Sequence, residues 1–281
     1  MLIRKATALS AALVIAAAGS LTLAPTAQAA STGTVTVVHG IPGLTVDVYV
    51  NDKKTLPAFK PGTVTDPLTL DAGTYKIDIY AEGTGPADSP ATPAPPAISD
   101  SVDLPAGANA SLVAYLATSG SPSPKLAVFV NDTKAIKAGQ ARVTVRHVAA
   151  APAVKVTADG TTLIASLENP NSASADVPAK TYAVGVEPAA GGAAVFSTDL
   201  ALPEGTSTIV YAYGNLTATP ATFAVATQSI SDLGAAPAGV PAGEGPVGSQ
   251  SFPAWLIAAI AVALVGAAFS ARRLTLTRSR I

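Results

Sequence analysis

The chain has 281 residues, no cysteine, 49% hydrophobic and 12% charged residues, and a formal net charge of −1. Disulfide frameworks, cysteine-ligated zinc and thiol chemistry are excluded. A basic nucleic-acid-binding balance is absent, and hydrophobicity this high excludes disorder throughout.

Arg4 and Lys5 precede an apolar run from Ala6 to Leu23. Ala27-Gln28-Ala29 then places small residues at −3 and −1 of a cleavage point. These three parts predict a secretory signal peptide over residues 1–29.

Beyond residue 29 the chain repeats itself. Val35-Thr36-Val37-Val38-His39 recurs as Val143-Thr144-Val145-Arg146-His147. Gly73-Thr74-Tyr75 is echoed by Lys180-Thr181-Tyr182, and Leu104-Pro105-Ala106-Gly107 by Leu202-Pro203-Glu204-Gly205. A period of about 100 residues suits two copies of one globular domain rather than a solenoid. The predicted domains are residues 30–132 and 133–232.

Each copy reads as β. Val46, Val48 and Val50 alternate with Thr45, Asp47 and Tyr49, and Ile77 and Ile79 with Lys76, Asp78 and Tyr80. Period two marks half-buried strands. It places Asp47, Tyr49, Asp78 and Tyr80 on the solvent side. Asn51-Asp52, Asp71-Ala72-Gly73 and Asp159-Gly160 punctuate the strands as turns. Seven strands are predicted in the first copy, near 34–39, 44–50, 64–70, 74–81, 98–104, 109–117 and 125–131. The fold class is all-β: two tandem Ig-like, Greek-key antiparallel β-sandwiches, an up-and-down barrel being the alternative. Tyr75 and Tyr182, each entering a strand just after a turn, fit a tyrosine corner.

Residues 83–97 hold Pro86, Pro90, Pro93, Pro95 and Pro96. Proline removes ladder donors, so an exposed, polyproline-like loop is expected. Ser89 and Thr92 within it are candidate O-glycosylation positions.

The segment Val35 to Asn51, with Leu70-Asp71-Ala72-Gly73-Thr74-Tyr75 after it, resembles the bacterial domain of unknown function 4397. That family typically reads VRVVHASPDAPAVDVYVDG, then a short apolar strand, then LPAGTY. The second copy keeps the His, Pro and Val pattern but has Lys155 and Lys180 where the motif has Asp and Gly. The resemblance implies an exported, envelope-associated β-sandwich. It implies no activity and no site residues.

Chemistry-bearing residues are few. His39 and His147, the only histidines, occupy the same place in each copy. One per copy is too few for a metal site without carboxylates, and a repeated strand-end position suits a residue that fixes the following turn. A triad of a serine with His39 and Asp47 has nothing to favour it. Carboxylate pairs Asp47 with Asp78, or Asp100 with Asp103, could in principle serve glycoside hydrolysis. Tyr49 and Tyr80 could form a small stacking platform. No catalytic, metal-binding or cofactor-binding residue is assigned and no cofactor is expected; ligand-binding residues are not readable.

Residues 233–251 are rich in Gly, Pro and Ala and read as a stalk. Phe252 to Ala271 carries no charge and is long enough to span a bilayer as a helix of roughly 30 Å. Arg272, Arg273, Arg278 and Arg280 follow, which predicts a cytoplasmic tail at 272–281 and an outward-facing remainder. No LPxTG-like sequence precedes the apolar run, so a retained single-pass anchor is expected rather than attachment to a cell wall. Without its two ends the exported part keeps 11 Lys and Arg against 18 Asp and Glu, an acidic surface. The Ala-, Gly- and Pro-rich, Lys-poor composition is that of a high-GC bacterium such as an actinobacterium.

The expected function is therefore non-enzymatic: two modules displayed at the cell membrane for adhesion, envelope organisation or ligand binding. Expected partners are an envelope or extracellular ligand and, through the C-terminal helix, the membrane; nucleic acid is not expected. The alternative is an envelope hydrolase with its site at the junction 132–142. A third reading is a sensor that signals through its short tail.

Overall fold

The computed structural model describes residues 31–118 and 122–234. The predicted signal peptide, membrane helix, basic tail and all but the first residues of the stalk lie outside them. Among the described residues no helix is long and apolar enough to cross a membrane.

The first half holds β1 (Thr32–His39), β2 (Val46–Val50), β3 (Lys53–Phe59), β4 (Leu68–Asp71), β5 (Gly73–Ala81), β6 (Ile98–Leu104), β7 (Asn109–Ala117) and β8 (Ser123–Val130). The second repeats the series as β9 (Gln140–Ala150), β10 (Val154–Ala158), β11 (Thr161–Leu167), β12 (Ser172–Pro178), β13 (Lys180–Pro188), β14 (Phe196–Leu202), β15 (Ser207–Asn215) and β16 (Ala224–Ile230). Four four-stranded sheets result: β4-β1-β7-β8 and β3-β2-β5-β6, then β12-β9-β15-β16 and β11-β10-β13-β14.

Within each half the two sheets share a core. Val37 and Leu112 of one sheet meet Val46, Val48, Ile77 and Ile79 of the other. In the second half Val143, Val145 and Val210 meet Val154, Val156 and Val186. A third core joins the halves. Val38, Val113 and Tyr115 on the outer face of the first β4-β1-β7-β8 sheet pack against Val148, Ile209 and Tyr211 of β12-β9-β15-β16. The layers therefore stack four deep. Period-two alternation explains why β9 is buried on both faces: Val143 and Val145 point into one core, Arg146 and Val148 into the interface.

Three expectations need correction. The sheets are mixed rather than antiparallel, because β1 pairs with β7 and β9 with β15 in parallel. Eight strands, not seven, occupy the first half. The missing one, β3, follows a two-residue turn in which Asn51 and Asp52 both have positive φ. It is an edge strand with Pro57 inside it, which edges tolerate and central strands do not. The strand expected at 64–70 is only Leu68–Asp71, since Pro67 supplies no ladder donor.

Candidate functional site

The paired tyrosines behave alike. Tyr75 donates its hydroxyl to the Asp71 carbonyl at 2.7 Å, and Tyr182 to that of Pro178 at 2.9 Å. Both bonds close the turn entering the strand, as the corner reading expects.

His39 and His147 are fully buried. His39 Nδ1 accepts from the Ile41 amide at 3.3 Å, which leaves Nε2 to donate to the Leu44 carbonyl at 2.8 Å. Its ring stacks on Phe59. His147 Nε2 lies 2.9 Å from the Pro152 carbonyl. Among the described residues its Nδ1 has no hydrogen-bond partner, and the nearby Ala151 amide donates to Ala149 instead. Burial pushes both imidazoles below their ordinary pKa, only partly offset by the carbonyl bonds. Each is a neutral clamp across the loop that follows its strand.

The solvent-facing expectation for Asp47, Tyr49, Asp78 and Tyr80 is overturned: all four are buried. The proline-rich segment folds back over Asp47 and Tyr49 on the outer face of β3-β2-β5-β6. Gly85 sits against the Tyr49 ring, and the Ala87 amide donates to Tyr49 Oη at 3.1 Å. Tyr49 and Tyr80 meet edge to face with centroids 5.0 Å apart, so they pack together rather than offer a stacking platform.

Asp47 anchors this cover. It accepts from the Ala58 amide at 2.8 Å, the Gly83 amide at 2.9 Å and Lys54 Nζ at 3.0 Å. Lys54 also bonds Asp88 within the proline-rich segment. Burial alone would raise the Asp47 carboxyl, but the two amides and the ammonium outweigh it and hold the group below the usual range. Burial likewise opposes ionisation of Asp78, and Ser99 and Lys76 outweigh it. These carboxylates are engaged in separate ion pairs. Asp100 and Asp103 lie three residues apart on β6, so alternation sends them to opposite faces.

At the junction, Arg142 holds Asp176 with two nitrogens, at 2.8 and 3.0 Å, and reaches Asp132 at 3.3 Å. Ile136 is fully buried, its amide donating to the Leu233 carbonyl at 2.6 Å. The histidines' hydrogen bonds run to backbone groups, so the convergence on carboxylates that the hydrolase reading requires is not formed by them. Among the described residues no group of three or more His, Asp or Glu is placed to hold a metal ion.

The densest polar cluster lies in the interface between the halves. Arg146, 1% exposed, donates from Nη1 to Tyr211 Oη at 2.8 Å and from Nη2 to Asn131 Oδ1. Tyr211 donates to Gln228 Oε1 at 2.6 Å, as Ser111 does at 2.9 Å. Gln228 Nε2 completes the chain to Thr36 Oγ1 at 3.1 Å. The guanidinium carbon lies 4.6 Å from the Phe129 ring centre and 5.3 Å from that of Tyr211, within cation–π range. Sequence reasoning missed this cluster. Its one signal was Arg146 standing where the first copy has Val38, a charge at an apolar strand position.

Comparison with known proteins bears on the first half most directly. Residues 33–157 match the family described as Domain of unknown function (DUF4397). The DUF4397 match thus runs from β1 through most of β10. No curated protein matches the sequence. Among solved structures, the Bacillus anthracis TIE protein is 10% identical with a TM-score of 0.21, over 73% of this chain and 32% of that one. A Bacteroides uniformis protein provisionally described as a cell adhesion protein is 8% identical with a TM-score of 0.23, over 72% and 99%. A leucine-rich repeat protein of Bacteroides thetaiotaomicron is 12% identical with a TM-score of 0.18, over 66% and 26%. The chain spans about a third of the length of the Bacillus anthracis protein.

Proposed function

We propose that this is a non-enzymatic surface protein, exported by its N-terminal signal and held by its C-terminal anchor at the membrane of a bacterium, an actinobacterium by composition. Two modules of the immunoglobulin-like, Greek-key kind, 30–132 and 133–232, are displayed outside the cell for adhesion, envelope organisation or ligand binding. The observation that carries this reading is the interface. Its third core and the Arg146 network lock the two halves to each other, spending the most polar buried residues on rigidity. A rigid pair of sandwiches presents loops and edges in fixed relation, which is what a display module needs.

The test is surface accessibility joined to a binding assay. In intact cells an impermeant amine reagent should modify exposed lysines of residues 30–232, and deleting that segment should reduce attachment to purified envelope glycans. Full-length protein that cleaved an envelope ester or glycan, with loss on His147→Ala in a folded variant, would overturn the reading.

A further inference from the structure

The two halves differ inside. The second sandwich is filled, with only about 30 Å³ of free space between its sheets. The matching place in the first holds a cavity of about 250 Å³ with an apolar lining that includes Val35, Val48, Ile77, Val102 and Leu112. An apolar cavity of roughly 150 Å³ already admits benzene, so this one has room for part of an aliphatic chain.

Two differences between the copies account for this. The bulge residue opposite the β2–β3 register shift is Thr55, exposed at the edge. Its counterpart at the β10–β11 shift is Leu163, half-buried and packed on the second core. On the facing edge, β12 pairs with β9 over seven residues without a break, whereas β4 pairs with β1 over four, breaks at Pro67 and resumes only as the single Val38–Val64 bridge. Accordingly β11 packs against β12 more closely than β3 does against β4. The first sandwich is left open between these two edge strands.

Lys53 and Thr55 line the outer end of the cavity and are both exposed. Lys53 makes no ion pair among the described residues. Its stem can follow the apolar wall while its ammonium stays in water. The second copy has Thr161 there.

We propose that the first sandwich binds an amphiphile with one aliphatic chain and an anionic head. The chain enters between β3 and β4 to fill the cavity, and the head group meets Lys53. The inference deepens the ligand-binding part of the function above and rests on it. The two fail separately: a surface protein with an unlabelled cavity leaves the display reading intact.

The experiment is photolabelling of the full chain in its own membranes. The probes are decanoate, a single-chain phosphatidylglycerol and decanol, each with a diazirine on the chain. Label from at least one anionic probe should map to peptides of β1, β2 and β6 and spare those holding Val143 and Val145. Labelling by decanoate alone assigns a free carboxylate as the head, and by the phospholipid alone a lipid phosphate; labelling by neither overturns the proposal. Thr55→Leu, which copies the filled sandwich, should lower the label severalfold. Val102→Phe is the second filling variant if the first accumulates poorly. Label that persists in both, or spreads equally over both halves, overturns the proposal. Lys53→Glu should lower labelling by the anionic probes and leave decanol unaffected; an equal loss for decanol overturns the head-group assignment.

Discussion

Arg146 Nη1 donates to Tyr211 Oη across adjacent strands, so a guanidinium in the interface is held by a phenol and an amide rather than by a carboxylate. Burial lowers the Arg146 pKa, with Tyr211 opposing the shift. A charge without a counter-ion is costly to bury, and its hydrogen bonds and two aromatic faces offset that cost. Arg146→Ala leaves a void and strips donors from Tyr211 and Asn131. It should destabilise the protein by about 2–4 kcal/mol in urea titrations followed by circular dichroism. Arg146→Met, which restores volume without the charge, should cost clearly less.

Acid should act in two steps. His39 and His147 have folded pKa values below the unfolded value of about 6.5, so the unfolded chain binds protons first. Their stabilising contribution is full above pH ~6.5 and is lost as pH falls from there towards the folded values. Asp47 and Asp78 are also depressed, and their contribution disappears only below the unfolded carboxylate value of about 3.9. Melting temperature against pH should show both limbs. The double variant His39→Gln, His147→Gln should flatten the upper limb alone; an unchanged slope between pH 6.5 and 5 would contradict the neutral-clamp account.

The aspartate beneath the proline-rich segment has a local role. Asp47→Ala removes the acceptor for Ala58 and Gly83 and one partner of Lys54. Charge-assisted hydrogen bonds of this kind contribute roughly 1.5–3 kcal/mol each, so stability should fall by at least one such bond. Limited proteolysis should then cut within 83–97 faster than in the parent, while sites in the second half keep their rates.

The two tyrosine corners provide a matched pair. Tyr75→Phe and Tyr182→Phe each remove one hydroxyl-to-carbonyl bond and little volume. Each should cost about 0.5–1.5 kcal/mol, and the double variant should show nearly the sum because the sites lie in different sandwiches. A loss confined to one of them would mean the repeat no longer uses both.

A contact between the halves depends on one glycine. Gly62 has a φ of 78°, and a Cβ there would strike the Tyr213 hydroxyl from the second half. Gly62→Ala therefore meets both backbone strain and overlap. Unfolding should begin at lower denaturant than for Gly83→Ala, where φ is also positive but the space is open.

Much of this was legible from the residues. Repeated motifs located the corner tyrosines and turn-fixing histidines, because each carries its function in its own loop. Period two also told correctly which side of the strand Asp47 and Tyr49 occupy. It could not tell what lies on that side, and the covering segment is irregular, with no periodicity to betray its docking. β3 escaped notice because Pro57 interrupts an edge strand that needs only one ladder. The Arg146 network was illegible for a different reason: its members come from five strands and a loop residue, and only the stacking of the halves brings them together.

The interface also sets an order of events during synthesis. The first half leaves the ribosome complete in sequence but with Val38, Val113 and Tyr115 uncovered, since their partners come from β9, β15 and β16. An apolar face waiting bare invites association with neighbours. The nascent chain is thus exposed to stray pairing until the last strands arrive. A chaperone that held the nascent chain would shelter a face that the finished molecule never shows.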